Sequence, residues 1–382
     1  MKIVLLYLNL NQGGVQRMMV NVANYLSGKG FDVTIILCRK EGHYLAFVNE
    51  AIKIISLESD NRFDLIKYLS HYLKNNKVDV LFTAVPHLNL IAIISKLISR
   101  VNTRIVISER SNTIEEFRKS PLGIYKMSFS LIPFLYRFAD EIIAVSKGVA
   151  TDLAKVACIP AEKITVVYNP AYNEKMIQEA VLPVHNEWLS DPTIPVIIGV
   201  GRLTEQKDFP LLIDATREVL KKRPVRLIII GEGTLHKVLQ QKIDAYGLHN
   251  NIMLAGFQAT PISWISKASL FVLSSKWEGF GNILVEALAA GTTIVSTDCK
   301  SGPSEILQDG KFGYLAKVGD VKDLADKIDY ALDNAMSATV LKRRAEDFDV
   351  NKVMKNYERI LLNKKEPSMI IKSSLNTEPI NY

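Results

Sequence analysis

Cysteine is scarce and unpatterned: the 382 residues hold three, Cys38, Cys158 and Cys299, with no CxxC pair. An odd, scattered count provides no disulfide framework and no zinc-finger spacing, so a reducing cytoplasm fits best. Long apolar runs are also missing. None approaches the roughly 18–20 residues a membrane-spanning helix needs. The apolar start Lys2-Ile3-Val4-Leu5-Leu6-Tyr7-Leu8 is too short for a signal peptide and lacks a cleavage pattern, so it reads as a first strand. There are no internal repeats and no low-complexity tracts. The third glycine of a dinucleotide fingerprint is absent twice. Gly199-Val200-Gly201 runs on to Thr204, and Gly231-Glu232-Gly233 is followed by Thr234, Leu235 and His236. A nicotinamide dehydrogenase is therefore poorly supported.

What is present is ordinary globular composition, 48% hydrophobic and 23% charged, at a length of roughly two domains. The net charge of +7 is uneven: residues 1–185 carry +6 and residues 186–382 only +1. Leu90–Arg137 holds eight basic residues (Lys96, Arg100, Arg104, Arg110, Arg118, Lys119, Lys126, Arg137) against three acidic ones. The same segment carries Phe117, Ile124, Tyr125, Met127, Phe129, Leu131, Ile132, Phe134 and Leu135. Basic residues interleaved with large apolar ones suit contact with an anionic membrane surface or a pyrophosphate lipid. The alternative is a core helix with a solvated face.

Short apolar runs alternate with amphipathic stretches throughout. Expected strands are Ile3–Leu8, Asp32–Cys38, Lys53–Ser56, Val80–Ala84, Arg104–Ser108, Glu141–Val145 and Ile164–Tyr168. A second set follows: Pro195–Val200, Val225–Gly231, Ile252–Ala255, Leu270–Leu273, Thr293–Ser296 and Tyr314–Ala316. Such alternation implies parallel sheets made of right-handed βαβ units. Two successive sets predict an α/β chain of two doubly wound Rossmann-like domains, 1–185 and 186–349, joined through the polar, Pro-containing Asn169–Pro192. A last helix, 350–363, is followed by a polar tail, 364–382.

Parallel sheets of this kind bind ligands beyond the carboxyl ends of their strands. Three post-strand loops qualify. Gly13-Gly14 permits close backbone approach ahead of a helix N-terminus, although alone it is equally a tight turn. Gly201-Arg202-Leu203-Thr204-Glu205-Gln206-Lys207 sets a guanidinium and an ammonium five positions apart, suited to a diphosphate. A solvated basic turn is the alternative. Gly231 and Gly233 would let a base or ribose approach a strand end. The densest signal is Glu278-Gly279-Phe280-Gly281-Asn282-Ile283-Leu284-Val285-Glu286, two carboxylates around a Gly-rich turn that opens a helix. The turn and helix start can hold a phosphate, and the carboxylates can accept hydrogen bonds from sugar hydroxyls. Asp347-Phe348-Asp349 matches the metal-holding Asp-x-Asp string, but Asp349 reads better as the cap of the last helix.

In combination, Val200-Gly201-Arg202-Leu203 with Lys207, Gly231-x-Gly233 and Glu278-x7-Glu286 resemble family 4 of the retaining glycosyltransferases, of GT-B architecture. The likeness extends to Gly13-Gly14, Ser108-Glu109-Arg110-Ser111-Asn112, Val145-Ser146-Lys147, Val167-Tyr168-Asn169-Pro170 and Thr297-Asp298-Cys299-Lys300-Ser301-Gly302-Pro303. It is nearest to bacterial enzymes that extend lipid-linked glycans, N-acetylgalactosamine transferases among them. The resemblance implies Arg202 and Lys207 on the donor diphosphate, Glu278 on the transferred sugar and Glu286 on the ribose. It places the backbone at Phe280, Gly281, Asn282 and Ile283 around the distal phosphate, with Gly13, Gly14 and Gly231 beside the nucleotide. Many members have a histidine after the strand matching Arg104–Ser108. This chain has Glu109 there, followed by Arg110, and His87 after the preceding strand, so these three are the acceptor-side candidates.

The implied activity is retaining transfer of a hexose or N-acetylhexosamine from a UDP-sugar to a polyprenyl-diphosphate-linked glycan, in the building of a surface polysaccharide such as O-antigen, without cofactor or metal. The implied location is cytoplasmic, peripheral on the inner face of the plasma membrane through segment 90–137, with no nucleic-acid partner. A sugar-nucleotide epimerase or hydrolase on the same fold, and a non-catalytic polysaccharide-assembly protein, are the alternatives.

Overall fold

The computed structural model describes residues 1–11, 13–119 and 124–364. The expected tail from 365 onward lies outside the described residues. Strands β1 (Lys2–Tyr7), β2 (Asp32–Leu37), β3 (Lys53–Ser56), β4 (Val80–Ala84), β5 (Arg104–Glu109), β6 (Glu141–Ala144) and β7 (Ile164–Val166) form one sheet. Strands β8 (Val196–Val200), β9 (Arg226–Ile230), β10 (Ile252–Leu254), β11 (Leu270–Leu273), β12 (Ile294–Thr297) and β13 (Tyr314–Ala316) form the other. All thirteen fall on the runs expected from sequence.

Every pairing is parallel, and the spatial orders are β3-β2-β1-β4-β5-β6-β7 and β10-β9-β8-β11-β12-β13. The register is set by apolar runs buried on both faces: Val4 pairs with both Thr34 and Leu81, and Ile198 with both Ile228 and Phe271. In both sheets the order reverses beside the first strand. The switch points are therefore β1/β4 and β8/β11, and the crevice outside them is where such sheets take ligands. The loops at these four strand ends carry Gly13-Gly14, His87, Arg202 with Lys207, and Glu278 to Asn282.

The chain crosses between the domains twice, at 169–172 and 348–350. The crossings run side by side, with Ala171 and Tyr172 N–H donating to the Phe348 carbonyl and Val350 N–H donating to that of Tyr172. Tyr168, Phe280 and Phe348 pack ring on ring around this hinge, with the Arg344 guanidinium 4.7 Å from the Phe348 ring. Beyond it, helix Val350–Leu361 returns to the N-terminal sheet. Asp349 caps it by accepting from Asn351 and Lys352 N–H, and Asp347 pairs with Arg344 at 2.7 Å. Both carboxylates of Asp-x-Asp are thus used locally.

The basic, apolar segment 90–137 is part core and part surface. Helix Pro86–Ser99 buries Leu88 and Leu90 to Ile93 in the core. Lys96 pairs with Asp140 at 2.6 Å and Arg104 with Glu141 at 3.2 Å. Beyond these, Phe117, Leu131, Phe134 and Phe138 are exposed, Phe134 most at 64%, with Arg100 and Arg137 also exposed. The side chains of Lys119, Ile124, Tyr125, Lys126 and Met127 lie outside the described residues. Among the described residues no helix is long and apolar enough to cross a membrane.

Candidate active site

Two loops of the C-terminal domain are laced into one wall. After β8 the chain turns through Arg202 to Lys207, and after β11 it runs from Ser274 to Gly281. Ser274 Oγ donates to the Lys207 carbonyl at 2.7 Å, Lys276 N–H to that of Gln206 at 2.8 Å, and Gln206 Nε2 to that of Trp277 at 3.0 Å. This lacing places Lys207 Nζ 2.5 Å from Glu278 Oε1, which also accepts from Ser275 Oγ at 2.6 Å. Both partners are largely out of solvent, at 14% and 8% side-chain exposure. Among the described residues Arg202 forms no ion pair, and it stands exposed at the mouth of this wall. Of these two basic side chains, Lys207 is paired with a carboxylate and Arg202 is exposed.

Gly231 supports the wall from beneath. Its φ is +139°, and an added Cβ would lie 2.0 Å from the Gly201 carbonyl oxygen. Its part is close backbone packing under the Arg202 loop. The turn after β11 ends at Gly281, with φ +97°, which opens helix Asn282–Ala290 with no side-chain cap and no acidic residue in its first turn. The first N–H groups of that helix, including that of Ile283, lack a side-chain acceptor and point out of its positive end. The Phe280 side chain belongs to the hinge. Its ring is 2% exposed in the hinge cluster, so only its backbone faces the turn.

Opposite lies the N-terminal domain. A narrow crevice is lined by Gly14, Arg17 and Asn21 from helix Gly14–Gly28, by Asn169 from the hinge, and by Asn282 and Glu286 from helix Asn282–Ala290. Gly14 approaches Asn282 closely enough that an added Cβ would lie 3.1 Å from its Nδ2. Gly13 leads into that helix in an extended conformation. Burial pushes the Glu286 carboxyl up to about 7, and the Arg17 guanidinium pulls it back only in part. Sequence reading missed Arg17. The signal was there: a basic residue in the first turn of a helix opposes the helix dipole and is unusual without a ligand or partner to favour it.

The acceptor-side candidates separate. His87 begins helix Pro86–Ser99 at the N-terminal switch point, half-buried. Desolvation and the Arg62 charge lower its pKa to about 4, so the imidazole is neutral at ordinary pH. Glu109 is corrected. Its side chain is fully buried beneath the cleft, accepting from Asn89 Nδ2 at 2.9 Å and from the Tyr136 hydroxyl. A carboxylate sealed inside β5's end lines no open pocket. Arg110 is corrected too, since its guanidinium turns to the hinge and donates to Tyr357 and Asn169.

Two Rossmann-like parallel sheets facing a crevice make up the GT-B architecture. A Glycosyltransferase Family 4 model matches residues 12–172 and a Glycosyl transferases group 1 model matches residues 183–348. The chain is 30% identical over 300 residues to an uncharacterized glycosyltransferase of Methanocaldococcus jannaschii, covering 68% of this chain and 72% of that one. It is 29% identical over 367 residues, 93% of this chain and 97% of the relative, to the N-acetylgalactosamine-N,N'-diacetylbacillosaminyl-diphospho-undecaprenol 4-alpha-N-acetylgalactosaminyltransferase of Campylobacter jejuni. Among solved structures, Anabaena HepE in complex with UDP and glucose superposes with a TM-score of 0.76 at 21% identity, over 95% of this chain and 100% of that one. The lipopolysaccharide outer core galactosyltransferase WaaB in its apo form gives 0.76 at 21% identity, over 96% and 100%. The chain belongs to the family 4 glycosyltransferases.

Proposed function

We propose that the chain is a retaining transferase moving a hexose or N-acetylhexosamine from a UDP-sugar to a polyprenyl-diphosphate-linked glycan. The observation that carries this is the meeting of Arg202, the Lys207–Glu278 pair and the uncapped start of helix Asn282–Ala290 at the switch point of the C-terminal sheet. As the anomeric bond to the nucleotide lengthens, negative charge grows on the distal phosphate. Fixed cations and aligned N–H groups stabilise that charge more than they stabilise the ground state, which lowers the barrier without a covalent step. In this reading they also do the work of a divalent cation. The departing phosphate takes the acceptor's proton on the same face, and the configuration is retained. Glu278, held beside Lys207, accepts from hydroxyls of the transferred sugar. Glu286, deep in the crevice, accepts from the ribose. Neither serves as a glycosidase-type nucleophile.

The acceptor class is supported by the Campylobacter relative, whose name specifies a diphospho-undecaprenol substrate. The exposed Phe117, Leu131, Phe134 and Phe138, flanked by Arg100 and Arg137, provide the face on which the enzyme rests against an anionic membrane surface where that lipid resides. A panel of UDP- and GDP-sugars, read by transfer to a synthetic polyprenyl-diphosphate glycan and by the anomeric configuration of the product, tests the reading. One UDP-sugar should give an α-linked product from an α-donor. Donor consumption with no glycosylated lipid, or an inverted linkage, would refute it.

A further inference from the structure

Arg110, one residue beyond β5, is held in an unusual way. Its Nη1 donates to the Tyr357 hydroxyl at 2.6 Å and its Nη2 donates to Asn169 Oδ1. Asn169 Nδ2 in turn donates to Asn282 Oδ1 at 2.7 Å. A continuous line of hydrogen bonds therefore runs from the returning helix Val350–Leu361, through the N-terminal domain and the hinge, to the first residue of the donor helix. No carboxylate pairs with Arg110 among the described residues, and its buried Nε has no partner. Its hydrogen-bond partners, Ser108, Tyr357 and Asn169, are all neutral, so the guanidinium gains no charge pairing from them.

The same residue meets the donor turn with its backbone. A Cβ added at Gly279 would lie 2.1 Å from the Arg110 carbonyl oxygen, so the two chains touch where only glycine fits. Ser146 Oγ, also from the N-terminal domain, donates to the Gly279 carbonyl at 2.8 Å. The turn between Glu278 and Asn282 is thereby gripped from the other domain at Gly279 and at Asn282.

We infer that Arg110 is a positioning residue for the donor site: through Asn169, and braced by Tyr357, it fixes Asn282 and the first turn of the donor helix. This rests on the donor-site reading above.

Arg110→Lys, Asn169→Ala and Tyr357→Phe test it, the last keeping the ring that packs on Phe82 at 5.8 Å. UDP affinity by calorimetry, KM for the donor, KM for the acceptor and melting temperature are measured for each full-length protein, with Arg202→Ala as control. Asn169→Ala and Arg110→Lys are expected to weaken UDP binding about 5- to 10-fold, the scale of one lost hydrogen bond that orders a charged site. Donor KM should rise in step while acceptor KM and melting temperature hold. Tyr357→Phe should give a smaller loss in the same direction. The double variant Arg110→Lys/Asn169→Ala should bind no worse than the weaker single variant, because both act on one path. Wild-type UDP affinity in all three, with Arg202→Ala deficient, overturns the inference and leaves the donor site standing. Wild-type binding by Arg202→Ala overturns the donor-site reading itself. Affinity losses that merely track falling melting temperatures also overturn the inference, since they mark a structural part only.

Discussion

Removing the lysine of the Lys207–Glu278 pair leaves a carboxylate with 8% exposure and, among the described residues, only the Ser275 hydroxyl donating to it. Breaking a buried ion pair from one side costs about 3–5 kcal/mol, most of it the penalty of the abandoned charge. For a domain of this size each kcal/mol is worth about 2–4 °C, so Lys207→Met should lower the C-terminal domain's melting transition by roughly 6–20 °C. Glu278→Gln strands the ammonium instead, and the flexible lysine stem can swing toward water, so its loss should be smaller. The double variant carries neither charge. It should be more stable than the sum of the single effects predicts, by a coupling of about 2 kcal/mol or more.

Differential scanning calorimetry of the four proteins without nucleotide closes this cycle, and calorimetric titration with UDP extends it. Lys207→Met turns the wall from a net cation into a neutral one, so UDP affinity should fall further than stability alone explains. Strict additivity, within about 0.5 kcal/mol, would refute the claim that the two side chains form one unit. A Lys207→Met protein as stable as wild type would mean that Glu278 has solvent or a partner the geometry does not reveal.

Other expectations follow from the crevice and the outer face. The Glu286 pKa is raised to about 7 by burial, above its unfolded value. The folded state therefore binds the extra proton between roughly pH 4.5 and 7, and this carboxyl's contribution to stability is intact below that window and is lost as pH rises through it. Glu286→Gln should flatten this decline in melting temperature, and an unchanged pH profile would show that the carboxyl is not desolvated. If the ionised carboxylate accepts from the ribose, UDP affinity in the wild type should climb from pH 6 to 8, and the same variant should abolish the climb. On the N-terminal face, Phe134→Ser with Leu131→Ser should reduce sedimentation with phosphatidylglycerol vesicles while transfer to a short water-soluble acceptor is kept. Equal sedimentation would remove this patch from the membrane reading.

How legible these features were depended on how local their causes are. Thirteen short β-branched runs, separated by amphipathic stretches, specify two parallel sheets because a strand buried on both faces must be apolar throughout. The glycine turns were legible for the same reason: Gly201 and Gly231 each follow a strand directly, Gly281 closes the loop after β11, and strand order makes those turns neighbours. What stayed hidden was direction. Glu109 and Arg110 are adjacent at the end of β5, yet one side chain goes inward to Asn89 and Tyr136 and the other to Tyr357, 247 residues later. Post-strand position is shared by residues that face a ligand and residues that hold the domains, and only the long-range partner separates them. Phe280 shows this within the strongest motif: between two glycines that shape the donor turn, its ring is drawn to Tyr168 and Phe348, which no local pattern links to it. The donor turn is therefore built jointly by both domains. Its chemistry is written in consecutive residues, whereas its geometry depends on contacts that exist only after both domains have folded and closed.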